Sequence, residues 1–265
     1  MRHPHSKTVD QASPRAFRNA AAGTGGVALA IGGFIVGSVL ALILIEVVAA
    51  ATQVPVSRGS PVRMTAGITV ADEVGLWIGF LGAALLASRL FGTRHLRADL
   101  GIQLRLWPDV PLGAAVGYVS IHWLIPLLYL PFQSSHPHLN HQLAHEALTL
   151  TNSVHGVGFV IVAVVVVVGS PIMEEIFFRG LLLRALEAWF GVLGRRLAPV
   201  AAIVVMGVAF GFAHGEGALL AYGLAVFGLV LGAMARILGR IGPGIVAHAV
   251  FNLTSVIAIA TVVPR

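Results

Sequence analysis

Long apolar runs separated by short polar stretches set the pattern of this chain. Runs at 24–51, 73–91 and 110–132 are each of the length that crosses a membrane as a helix, about 20 residues. A fourth starts near Val154 and continues through a Glu-Glu pair. Residues 155–185 as one helix would reach about 46 Å, against a hydrocarbon core of about 30 Å. That helix must tilt and emerge, or Gly169-Ser170-Pro171 must break it. Further runs occupy 199–214, 218–238 and 244–262, the last opened by Gly242-Pro243-Gly244. The pattern predicts an all-α, polytopic helical membrane protein of about seven transmembrane helices. It divides into a tail (1–21), three N-terminal spans (22–132), a polar His-rich loop (133–153) and a C-terminal four-helix unit (154–265).

Composition agrees with the pattern. Of 265 residues, 57% are hydrophobic and 11% are charged, where a soluble domain carries about 25% charged residues. Mean hydropathy is +0.89. There is no cysteine, which excludes disulfides, thiolate metal sites and a cysteine nucleophile. The net charge of +6 marks loops beside the membrane rather than a nucleic-acid surface. Positive residues gather in the tail, in 92–110, in 184–198 and in 236–242, and seven spans place all four on one side. The expectation is a multi-pass cell-membrane protein with a cytoplasmic N-terminus. Glu46 reads as interfacial. His136, His138, His141 and His145 read as a solvated non-cytoplasmic loop, since no carboxylate accompanies them at ligand spacing.

Against this background the charges inside apolar runs stand out, because each costs on the order of 2.5–3.5 kcal/mol to insert. Glu174 and Glu175 are followed by Arg179. On a helix, Glu175 and Arg179 share a face and can pair, while Glu174 points about 100° away and stays free for chemistry. His214 follows Phe210 by one turn, and His248 and Asn252 share a face of the last run. A desolvated carboxylate can take a proton from water. Imidazole and amide donors can hold a developing oxyanion. Taken singly, these residues also read as interfacial charges or as polar contacts between helices.

The ordered set Glu174-Glu175-x-x-x-Arg179, Phe210-x-x-x-His214 and His248-x-x-x-Asn252 resembles the family that groups CAAX prenyl endopeptidases with bacteriocin-processing and immunity proteins, called CPBP or Abi proteins. The resemblance covers roughly 154–262. It implies an intramembrane endopeptidase with a catalytic four-helix C-terminal core. Glu174 and His214 would activate water, His248 and Asn252 would support the oxyanion, and Glu175 and Arg179 would orient the site. The expected partners are a peptide or membrane-protein substrate and the lipid bilayer, with no nucleic acid. No cofactor is expected, although zinc on Glu174, His214 and His248 stays open; His-Glu-x-x-His is absent. Two alternatives stand beside this reading. A proton-coupled transporter would spread ionisable residues through both halves, and the first three spans carry almost none. A non-catalytic immunity or scaffold protein would tolerate loss of Glu174 or His248.

Overall fold

The computed structural model describes residues 17–54, 65–136, 154–215 and 217–262, with side chains to residue 258. The described residues are helical with no strand. The long segments are α1 (Ala20–Thr52), α2 (Ala66–Phe91), α4 (Leu106–Phe132), α5 (157–193), α6 (Gly194–Ala213), α7 (Ala218–Leu238) and α8 (Gly242–Val262). A single turn, α3 (Leu96–Asp99), joins α2 to α4. Five runs among the described residues are long and apolar enough to cross a membrane; one of them, Val157–Ala213, holds both α5 and α6, which Gly194 (φ +81°) divides. The protein is thus a polytopic helical membrane protein. His138, His141 and His145 lie outside the described residues, while His136 is exposed beside Ser135.

The first two helices open on side-chain caps ahead of their apolar runs. Asn19 Oδ1 accepts from Ala22 N–H and opens α1. Thr65 Oγ1 accepts from Ile68 N–H and opens α2 seven residues before the apolar run at 73. That early start draws Asp72 into the second helix and moves Glu73 from its edge to its interior.

Small residues decide how closely the helices pack, as expected where lipid supplies no hydrophobic contrast. α1 and α2 meet along Gly33, Gly37 and Ala41 on one side and Gly75, Gly79 and Ala83 on the other. A Cβ at Gly79 would collide with the backbone of Gly33 and Gly37. α4 lies on α8, with Gly113 against Pro243 and Val246 and Gly117 against Ala247. α6 and α7 cross at Gly207 and Gly228.

α5 does not break at Gly169-Ser170-Pro171. It passes through as two widened turns, Val165–Gly169 and Glu175–Leu182, whose bonds reach five residues back. The extra residues let the helix absorb Pro171 and re-aim the side chains that follow. The basic segment 184–198 is helical: it ends α5 and begins α6.

Candidate active site

The site is built around the second widened turn of α5. Glu175 and Arg179 are both fully enclosed, and Arg179 Nη1 lies 2.7 Å from Glu175 Oε1. An isolated charge there would be far too costly, so the two must be read as one unit. Arg179 also sits over the Phe210 ring at 4.3 Å and donates to the Gly228 carbonyl at 3.4 Å. It therefore ties α5 to α6 and α7. Glu175 reaches α8: a Cβ on Gly244 would stand 2.6 Å from Glu175 Oε2. Gly244 is thus required by the carboxylate beside it, at the first turn of α8, where unpaired N–H groups favour negative charge.

Glu174 is disposed differently. Its side chain keeps 16% exposure, and its Oε2 lies 3.9 Å from His248 Nε2. The other ring nitrogen of His248, Nδ1, lies 3.4 Å from Glu175 Oε1. The imidazole is therefore held between the two carboxylates, with Phe210 and Phe227 edge-on at 5.6 and 5.7 Å. Glu174 Oε2 and His248 Nδ1 are buried and make no hydrogen bond among the described residues. Buried polar atoms without a hydrogen bond are rare in native proteins, and here they gather around the two carboxylates.

His214 caps the C-terminus of α6 and is exposed; its Nδ1 faces the Phe210 carbonyl at 2.9 Å. Its ring meets the Phe210 ring at 4.9 Å. Both histidines therefore contact Phe210, His248 from the buried side and His214 from the open side. The depths agree because α5 and α6 are antiparallel. Phe210 meets Phe178 at 5.2 Å, so one turn onward along α6 and one turn back along α5 bring His214 and Glu174 to similar levels.

Asn252 does not point its amide freely into the site: Nδ2 donates to the Val166 carbonyl of α5 at 2.8 Å. Among the described residues no three His, Asp or Glu side chains converge closely enough to hold a metal ion. Glu174, His214 and His248 therefore do not fit as a preformed zinc site.

One site residue is absent from the sequence reading. Glu73, on α2, places its carboxyl near Ser170 and Trp77 and close enough to Glu174 for the two charges to interact. The Trp77 ring lies against Gly169, where a Cβ would collide with it. Contrary to the expectation that the first three spans hold almost no ionisable groups, α2 carries Asp72 and Glu73. Glu73 is the first residue of the apolar run at 73, and the cap at Thr65 extends the helix ahead of it, so that Glu73 lies within α2 rather than at its end.

All of these groups except Glu73 lie on α5 to α8. That segment matches a known family. Residues 156–254 match the family model Rce1-like, described as type II CAAX prenyl endopeptidase Rce1-like. The resemblance drawn from three short motifs is borne out across this segment, and at family level it supports a CAAX-protease-like intramembrane endopeptidase. Neither the curated proteins nor the solved structures gave a match.

Proposed function

We propose that this protein is an intramembrane endopeptidase of glutamic type, in which Glu174 activates water for attack on a peptide bond. The observation that carries the reading is the placement of Glu174 3.9 Å from His248 beside the fully buried Glu175–Arg179 pair. Glu174 takes a proton from water, and the hydroxide adds to the scissile carbonyl carbon. His248 donates to the oxyanion that forms. As the tetrahedral species collapses, the proton on Glu174 passes to the leaving nitrogen. His214, across Phe210, assists the water from the open side of the site. The substrate is a peptide or a membrane-protein segment, and the chain sits in the cell membrane with its N-terminus on the cytoplasmic side. The test is cleavage of a membrane-peptide library by the purified protein. Activity lost in Glu174→Gln supports the reading, and equal cleavage by that variant overturns it.

Water activation here is proposed as metal-free. Zinc-bound water is the alternative chemistry for two histidines and a carboxylate. Stoichiometric zinc in active protein, lost with activity on chelation and restored with it, would overturn that proposal. Glu73 beside Glu174 also favours a second reading, a proton relay through the membrane. Proton flux into vesicles without any peptide cleavage would select it.

A further inference from the structure

The turn of α5 that precedes the Glu-Glu pair has a gap in its hydrogen bonding. In the widened turn at Val165–Gly169, the Ser170 N–H bonds to the Val165 carbonyl, five residues back. The next amide in that ladder belongs to position 171 and would reach Val166. Position 171 is proline, which has no N–H to give. A main-chain carbonyl left open in a membrane-embedded helix is costly and calls for a partner from elsewhere. Asn252 supplies it, with Nδ2 2.8 Å from the Val166 oxygen. Asn252 is one turn beyond His248 on α8, and Pro171 is three residues before Glu174 on α5. A single bond therefore spans the two helices that hold Glu174 and His248, whose side chains approach to 3.9 Å. Ser170, whose hydroxyl donates to Val165 at 3.3 Å, keeps the neighbouring carbonyl occupied and so leaves Val166 to Asn252.

We propose that Asn252 is a positioning residue: its amide replaces the N–H missing at Pro171 and so sets the separation of Glu174 and His248. This rests on the reading above that those two side chains do the chemistry. It departs from the role implied by the family resemblance, in which the asparagine amide holds the oxyanion. The two roles separate cleanly, because only the positioning role depends on what stands at residue 171. An alanine there restores an N–H to α5, and the Val166 carbonyl gains a partner from its own helix.

The experiment is a cycle of Asn252→Ala, Pro171→Ala and the double variant in the full chain, reading melting temperature, kcat and KM. Asn252→Ala alone should melt a few degrees lower. Its kcat should fall on the order of a hundredfold, the cost of a displacement near 1 Å, at little-changed KM. Pro171→Ala alone should stay close to wild type. The double variant should melt like Pro171→Ala and recover most of the lost kcat. A double variant as unstable and as slow as Asn252→Ala would overturn the proposal. So would recovery of melting temperature without recovery of kcat, which would put the amide on the reacting atoms instead. If the wild type cleaves nothing, the peptidase reading falls on its own. The melting temperatures still decide the bond: rescue by Pro171→Ala supports it, and no rescue overturns it.

Discussion

The two adjacent glutamates differ in every respect except residue type. Glu175 is fully buried and paired, whereas Glu174 is partly open and faces His248. Breaking a buried pair by removing one partner typically costs about 3–5 kcal/mol, because the other charge is left uncompensated. Arg179→Ala should therefore sharply reduce folded protein in detergent, measured by monodisperse yield and melting temperature, along with activity. Glu174→Gln should leave the fold intact and remove cleavage. A different consequence follows for Glu73. Like charges in a low-dielectric site repel each other, and active sites hold such groups at a cost in stability. Glu73→Gln and Glu174→Gln should each raise the melting temperature, and the double variant should rise no further than the better single, since either change relieves the same repulsion. Additive gains would mean that the two carboxylates do not interact. The split between Glu174 and Glu175 is legible in the sequence because four-residue spacing assigns the arginine to only one of them. The partnership with Glu73 is not, since it depends on contact between α2 and α5, a hundred positions apart along the chain.

Element by element, the apolar runs are legible and their inner irregularities are not. Hydropathy locates all seven long segments but misplaces the starts of α1, α2, α4 and α6 by several residues. It says nothing of the widened turns, because a turn with one extra residue leaves an apolar run equally apolar. The first of those turns lets α5 continue past Pro171, and the second begins at Glu175 itself. The short α3 shows how polar groups finish what packing begins. Its Asp99 is buried and accepts from Ser88 Oγ at 2.6 Å and from the N–H and hydroxyl of Thr93. Burial alone would raise its pKa, but these hydrogen bonds together hold it below the ordinary carboxylate value. A depressed folded pKa gives stability that is full above the unfolded value, about 3.9, and is lost as pH falls through the folded one. Melting temperature should therefore drop below about pH 4, and Asp99→Asn should flatten that part of the curve. An unchanged acid limb in the variant would show that α3 does not report on Asp99.

At the scale of the whole molecule, the family match ends where the structure does not. Residues 156–254 carry the matched segment, yet the N-terminal half is built into it. Phe80 of α2 stacks on Phe177 at 4.1 Å, Ala247 of α8 lies against Gly117 of α4, and Glu73 reaches the Glu174 side chain. The tightest link is polar. Asp109, fully buried at the start of α4, accepts from Arg240 at 2.6 Å and from the Arg105 N–H at 2.8 Å. Hydrogen bonding to Asp109 holds the Arg240 guanidinium above its ordinary pKa, so the arginine stays charged. Arg240 precedes Gly242, where the helix bearing His248 begins, so this pair anchors one wall of the site to the first half of the chain. Loss of Arg240 leaves a buried carboxylate unpaired, and loss of both partners does not. Arg240→Ala should thus melt well below wild type, and Asp109→Asn combined with Arg240→Ala should regain much of the difference. If Glu174 and His248 are held in register through this anchor, kcat should stay low in the double variant although its stability returns. Recovery of both together would mean that the pair stabilises the fold without steering the site. No recovery of stability at all would mean that Asp109 finds another partner once Arg240 is gone.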